Sequence, residues 1–193
     1  IIEGRNAVTE ALRAGRNLDK IFIAKGETDS SLKFIASKAK SMGIVVADAD
    51  KRKLDFMSVT KAHQGVIAVV AAGSYVEFNE LLGTLKEKEN PLVVICDEIS
   101  EPHNLGAIIR SAHCFGADAV IIPKRRSSGL TAVVGKASAG AVEYIPVCRV
   151  ANLSSAIKEL KSAGFWVYGT SARADRTVSK TDFSGSVALI IGS

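Results

Sequence analysis

Apolar residues near the start of the chain recur at helical spacing, at Ala7, Val8, Ala11 and Leu12, and predict an amphipathic helix from about Asn6 to Ala14. The pattern then alternates. A strand is expected over Lys20 to Ala24, a helix over Ser30 to Met42, a strand over Ile44 to Ala47 and a short helix over Lys51 to Met57. The β-branched run Val66 to Val70 adds a further strand, so a small mixed sheet with helices is implied. Ala71 to Tyr75 are mostly small, follow no period and read as a hinge. The expected division is a first domain over residues 1–72, a linker over 73–77 and a second domain over 78–193.

Past the linker the cadence lengthens. Helix Phe78 to Lys88, strand Leu92 to Asp97, a helix from Asn104 to Gly116 and strand Ala119 to Ile122 follow in turn. Helix Gly129 to Ala139, strand Tyr144 to Val147, helix Leu153 to Ala163, and strands Phe165 to Gly169 and Val187 to Ile191 complete the series. Strands alternating with helices point to a doubly wound parallel sheet. No repeat of solenoid length is present.

Composition narrows this picture. The 193 residues are 47% hydrophobic, enough for packed cores and too apolar for a disordered chain. Cys96, Cys114 and Cys148 are widely spaced and form no CxxC pair, so buried reduced thiols are expected. No apolar run approaches the ~20 residues of a membrane span, and no signal peptide precedes the first helix, which leads to the expectation of a cytoplasmic protein. The formal net charge is +5, and about four of these charges lie before Tyr75. Arg5, Arg13, Arg16, Lys20, Lys51, Arg52, Lys53 and Lys61 are therefore candidates to meet phosphate, and Lys124-Arg125-Arg126 follow a strand's carboxyl end. A solvated surface would account for the same charges equally well.

The segment richest in chemistry is Asp97-Glu-Ile-Ser-Glu-Pro-His-Asn-Leu-Gly-Ala-Ile-Ile-Arg-Ser-Ala-His113. Asn104 reads as the N-cap of the helix that follows. Leu105, Ile108, Ile109 and Ala112 share its apolar face, which leaves Arg110 pointing away from the core, toward the edge where parallel sheets bind ligands. Singly, an Asn at a cap and an Arg on a polar face are ordinary. Together, the string Asn-Leu-Gly-x-x-x-Arg-x-Ala after a strand ending Asp-Glu-Ile resembles the first motif of the SpoU-type RNA ribose methyltransferases, in the SPOUT class. Gly4-Arg-Asn-Ala-Val-x-Glu-Ala-Leu12, His63-Gln-Gly-Val66, Ser138-Ala-Gly-Ala141 and Ala188-Leu-Ile-Ile-Gly-Ser193 extend the resemblance over practically the whole chain.

The resemblance implies a small ribosomal-protein-like RNA-binding domain followed by a parallel-sheet α/β knot methyltransferase domain. It implies transfer of a methyl group from S-adenosylmethionine to a ribose 2′-hydroxyl, as in the 23S ribosomal RNA guanosine methyltransferases, by a homodimer. Asn104 and Arg110 match the family's catalytic positions; Gly169, Thr170 and Gly192 match turns that approach the cofactor. His63 is counted with Arg5, Arg13, Arg16, Lys61, Lys124 and Arg125 among the residues expected to face RNA. The family continues past Ile-Gly-Ser with a Glu-containing loop and a Pro-Met-x-Gly…Ser-Leu-Asn segment, so the carboxyl-terminal part of the knot is expected to be missing and the 193-residue chain alone to be inactive. A transfer RNA substrate, or a non-catalytic RNA-binding protein on the same scaffold, stays open. No metal is expected, because His63, His103 and His113 are scattered, and the absence of GxGxxG and Walker loops argues against nucleotide-phosphate enzymes.

Overall fold

The computed structural model describes residues 1–26 and 29–192 and divides into two compact units, Ile1–Ala72 and Gly73–Ser193. In the first unit, β1 (Ile2–Glu3), β2 (Leu18–Ala24), β3 (Val45–Ala49) and β4 (Val66–Val70) form a mixed sheet in the order β1-β4-β2-β3. β2 and β3 are parallel, and β4 runs antiparallel to β2 and β1. Helices α1 (Arg5–Arg13) and α2 (Ser30–Ser41) bury Val8, Leu12, Leu32 and Ile35 with Ile21 and Val66 of the sheet. Helix α3 (Lys51–Met57) has a separate small core in which Leu54 meets Ala49 and Ile67. Asp29 and Asp50 cap α2 and α3, accepting from the N–H groups of Ser31 and Lys53, each at 2.8 Å.

The second unit contains β5 (Tyr75–Val76), α4 (Phe78–Lys86), β6 (Leu92–Asp97), α5 (Pro102–Cys114), β7 (Ala119–Pro123), α6 (Ala132–Ala137), β8 (Val147–Val150), α7 (Leu153–Ser162), β9 (Trp166–Gly169) and β10 (Val187–Gly192). Its six strands are all parallel, in the order β5-β8-β7-β6-β10-β9. β6 is apolar without alternation because both its faces are covered: Val94 and Cys96 pack with α5, while Val93 and Ile95 pack with α4 and α7.

Several boundaries differ from those the pattern suggests. Helix α5 starts at Pro102 with Glu101 as its N-cap, the carboxylate accepting from His103 N–H at 3.3 Å, so Asn104 sits inside the first turn. Proline suits that first helical position because it has no N–H to leave unpaired. Strand β8 begins only at Val147. Pro146 just before it lacks an amide, and its carbonyl accepts from Val120 N–H at 2.9 Å. The helix expected over Gly129 to Ala139 is shorter, starting behind Thr131 as its cap. Tyr75 and Val76, inside the stretch expected to be a linker, form β5 beside Val147 and Cys148. The Tyr75 hydroxyl accepts from Leu130 N–H at 2.8 Å, and the Arg149 guanidinium lies 4.1 Å from its ring centroid.

Helix α5 is held against α6 by a close approach at Gly106, where a Cβ would lie 2.5 Å from Cβ of Ala137 and 3.0 Å from the Ser138 nitrogen. The Gly of Asn-Leu-Gly therefore serves packing. Gly106→Ala is expected to cost about 1–3 kcal/mol of stability by overpacking. Gly83→Ala, in α4 with open space around it, should instead stabilise by about 0.5–1 kcal/mol. Urea denaturation of the two variants checks the pair, and equal effects would refute the packing role.

Candidate active site at the carboxyl edge of the parallel sheet

The carboxyl ends of β6, β10 and β9 lie side by side, with Gly192 opposite Asp97 and Gly169 opposite Ile190. The turn leaving β6 is strained. Glu98 has φ 56°, a left-handed conformation uncommon for a residue with a side chain, and Arg126 on the facing loop has the same value. The two loops are tied together: Ser127 Oγ and Ser128 N–H donate to the Ile99 carbonyl at 3.3 and 2.9 Å, and Arg126 pairs with Glu98 at 3.1 Å. Both ends of that ion pair are more than half exposed, at 82% and 52%, so the backbone bonds and the burial of Ile99 do more to hold the turn.

That turn delivers α5. Asn104 and Arg110 are both exposed, and neither has a hydrogen-bond or ion-pair partner among the described residues. They occupy different stripes of the helix, about 120° apart, with Arg110 about 9 Å farther along the axis. Helical side chains lean toward the N-terminus, which lets the long Arg110 side chain reach back toward the edge. The Asn104 stripe continues through Ile108, Ser111 and Phe115. Ile108, Ser111 and Phe115 line an apolar concavity of about 380 Å³ with Leu92, Val94, Leu189 and Ile191.

The three residues expected to approach a cofactor are placed at or just past strand ends. No heavy atom lies within 4 Å of the position a Gly169 Cβ would take, and only the Asp97 carbonyl, at 3.9 Å, lies near that of Gly192. Both backbones are thus open to close approach. Thr170 is otherwise engaged: its N–H and its hydroxyl each donate to the Ile190 carbonyl at 3.0 Å, tying the end of β9 to β10. It also borders an apolar cavity of about 520 Å³ with Val178, Phe183, Val187 and Leu189.

The residues expected to face RNA are divided between the two units. Lys124 is half-buried and Arg125 exposed on the loop after β7. In the first unit, Arg13 pairs with Glu10 at 2.7 Å near the end of α1, where Arg16 is exposed. Arg5 lies about 12 Å away at the start of α1. Its guanidinium is held by the Gln64 carbonyl and by Asp29 Oδ2, at 3.0 and 2.8 Å. Lys61 is exposed, with its ammonium on the Asp55 carbonyl at 2.6 Å.

His63, also expected to face RNA, lies inside the fold. It is only 7% exposed; its Nδ1 accepts from Gly65 N–H at 3.0 Å, which makes Nε2 the donor to Asp55 Oδ1 at 3.1 Å. Both ring nitrogens are used, so His63 shapes the 58–65 loop. Sequence reasoning missed the partner device. The Glu3 carboxylate accepts from Ser58 Oγ and, at 2.9 Å, from Thr60 N–H, and Ser58 Oγ in turn accepts from Lys61 N–H at 2.8 Å. A Glu and a Ser 55 positions apart carry no periodic signal.

Burial pushes the Cys96 and Cys148 thiols up to about 12, which keeps them neutral and unreactive; Glu77 adds to the effect at Cys148. Cys114 is exposed, against the expectation that all three are buried. Among the described residues no group of His, Cys, Asp and Glu is placed to hold a metal ion, and no helix is long and apolar enough to cross a membrane.

Residues 91–193 match the profile of the SpoU rRNA Methylase family, and residues 1–76 match that of RNA 2′-O ribose methyltransferase substrate binding. The chain is 44% identical over 191 residues to a Bacillus subtilis protein provisionally named a TrmH family tRNA/rRNA methyltransferase, covering 98% of this chain and 76% of that protein. A Staphylococcus aureus protein with the same provisional family name is 45% identical over 194 residues, covering 100% and 78%. Among solved structures, the SpoU methyltransferase AviRb of Streptomyces viridochromogenes in complex with AdoMet is similar with a TM-score of 0.54 and 22% identity, covering 100% of this chain and 72% of that one. An AdoMet-bound rRNA methyltransferase from Sinorhizobium meliloti gives a TM-score of 0.52 at 23% identity, covering 97% and 68%. At these identities the likeness is one of fold.

The Glu3 bonds carry a pH signature. Donation first by Ser58 and then by Thr60 N–H holds the Glu3 carboxyl below its ordinary value. A depressed carboxyl pKa means that the tie is complete above the ordinary glutamate range and lost as the pH falls through the lowered value. The Thr60 amide resonance is expected to shift only below that ordinary range, and to show no such step in Glu3→Gln. A step at the ordinary glutamate value in the unaltered protein would contradict the assignment.

Proposed function

The chain belongs to the SpoU rRNA methylase family, and from that premise we propose that it transfers a methyl group from S-adenosylmethionine to a ribose 2′-hydroxyl of structured RNA, with 23S ribosomal RNA as substrate. The observation that carries the reading is the seating of β10 beside β6. It sets Gly192 level with Asp97, at the root of the turn that presents Asn104 and Arg110. Ligands of open parallel sheets bind at this edge.

The residues present fit the cofactor. Gly169 and Gly192 leave backbone open where a bulkier residue would stand off, and the Thr170 hydroxyl oxygen keeps a lone pair after donating its hydrogen. S-adenosylmethionine, when bound, supplies a methyl group activated on a sulfonium. The protein's share is to place the ribose oxygen in line with that carbon and to favour loss of the hydroxyl proton to solvent water as the O–C bond forms, the C–S bond breaks and the neutral thioether leaves. Arg110 is assigned to the second task. A guanidinium stays protonated in proteins, so Arg110 acts as a cation that orients the adjacent phosphate and stabilises the forming alkoxide, and not as a base. Asn104, on the neighbouring stripe and nearer the edge, offers an amide to the ribose.

Full-length protein incubated with labelled S-adenosylmethionine and either 23S ribosomal RNA or transfer RNA tests the reading through the modified nucleoside recovered, and the 193-residue chain alone, assayed beside it, is expected to yield none. A 2′-O-methylated nucleoside from the ribosomal RNA is expected, from a protein that sediments as a homodimer. Arg110→Ala should lower kcat/KM by about 100-fold or more, with no rescue by Arg110→Lys if bidentate phosphate contact matters. A base-methylated product, or full activity of Arg110→Ala, would overturn the assignment; transfer to transfer RNA alone would move the substrate and leave the chemistry.

A further inference from the structure

Phe56 is the most exposed large apolar side chain identified in the protein, at 89%. Helical geometry keeps it there. Leu54, buried against Ala49 and Ile67, fixes the inner side of α3, and Phe56 stands about 200° round the helix from it. Arg52 and Lys53 precede Phe56 by four and three residues and so flank it on the surface; both are exposed. The two acids of the segment face elsewhere: Asp50 caps Lys53 N–H, and Asp55 holds the His63 ring. Lys53 is partly committed, its ammonium lying 4.5 Å from the Phe22 ring centroid. Arg52 is therefore the cation left beside the Phe56 ring.

The ground next to the ring is rigid. Val59, 78% exposed, opens a loop in which Ser58 and Thr60 are tied to Glu3, Lys61 to Ser58 and Asp55, and Gln64 to Arg5. Lys61 and Gln64 hold left-handed backbone conformations, with φ 62° and 50°. A surface already ordered loses little conformational freedom on binding. The cations Arg52 and Lys53 beside the ring on its own helix favour a partner that is flat and anionic over an apolar protein face. It suits a nucleotide, whose base offers a flat π face and whose phosphates meet the flanking cations.

We propose that Phe56 is a stacking platform for an unpaired base of the RNA substrate, with Arg52 on the phosphate beside that base. The inference rests on the RNA-modifying reading above and deepens it: the first unit selects RNA with an unstacked nucleotide, and not a plain duplex. Recognition of this kind tolerates different bases, because each has a π face, and so selects RNA shape before sequence.

The test measures affinities of the purified protein, over a series of salt concentrations, for a hairpin RNA with an unpaired loop and for a blunt duplex of equal length. Phe56→Ala is expected to weaken hairpin binding about tenfold, the scale of one base stacked on one ring, and to leave duplex binding unchanged. Phe56→Tyr should restore hairpin affinity. Arg52→Gln should weaken both RNAs and lower the salt slope by about one ion. Unaltered hairpin binding by Phe56→Ala, an equal loss on both RNAs, or conversion of an oligomer to monomers by that substitution would each overturn the proposal. Should the unaltered protein bind neither RNA, the RNA-modifying reading falls as well; binding that ignores Phe56 removes this proposal alone.

Discussion

The second unit depends on the insertion of β10 between β6 and β9. Six parallel pairs, from Val187 opposite Leu92 to Gly192 opposite Asp97, place the strand latest in sequence next to the first long strand of the sheet. The contact spans about ninety-five positions of sequence, so it is costly to form and gains its stability from burial on sheet faces. Ala188 and Ile190 pack into the core shared with α4 and α7. Every candidate site feature follows from this pairing. Without it Gly192 would not stand at the root of the Asp97 turn, and Thr170 would lose the Ile190 carbonyl that pins the end of β9.

A second constraint aims helix α5. Gly106 lets α5 approach α6 closely, and Ile99, buried and bonded to Ser127 and Ser128, fixes the turn before it. Two non-glycine residues in left-handed conformations, Glu98 and Arg126, face each other across that turn. Strain of this sort costs on the order of 1–3 kcal/mol per residue and persists where surrounding contacts over-determine it. Here it aims Asn104 and Arg110 outward from a helix whose other face is locked in the core. Rigid scaffold and unpaired polar groups thus meet on one element.

The elements that could be read from sequence were those with a strong period or a dense β-branched run. Strands β4 and β6 and helix α3 have the bounds that Val66 to Val70, Leu92 to Asp97 and Lys51 to Met57 suggest. Strands β1 and β5 were illegible because two residues carry no period. Asn104 was misread as a cap because Asn is a favoured N-cap, while Pro102 at the first helical position and the Glu101 carboxylate decide the start one turn earlier. At the site, residue identity pointed to Asn104 and Arg110, and their spacing of six already sets them on different stripes of one helix; what the string does not carry is the apolar concavity that Ile108, Ser111 and Phe115 line with β6 and β10. His63 shows the opposite limit. Its burial is created by Asp55 and by a turn of its own loop, and a lone His in a polar stretch gives no sign of that.

The carboxyl edge built by β6, β10 and α5 is proposed to methylate a ribose. The most direct measurement maps ribose methylation in ribosomal RNA from cells lacking this protein and from cells in which it is restored. The account predicts that one 2′-O-methyl group in 23S ribosomal RNA disappears, returns with the unaltered protein, and fails to return with Arg110→Ala. An unchanged ribose-methylation pattern, or return of the mark with Arg110→Ala, would contradict it.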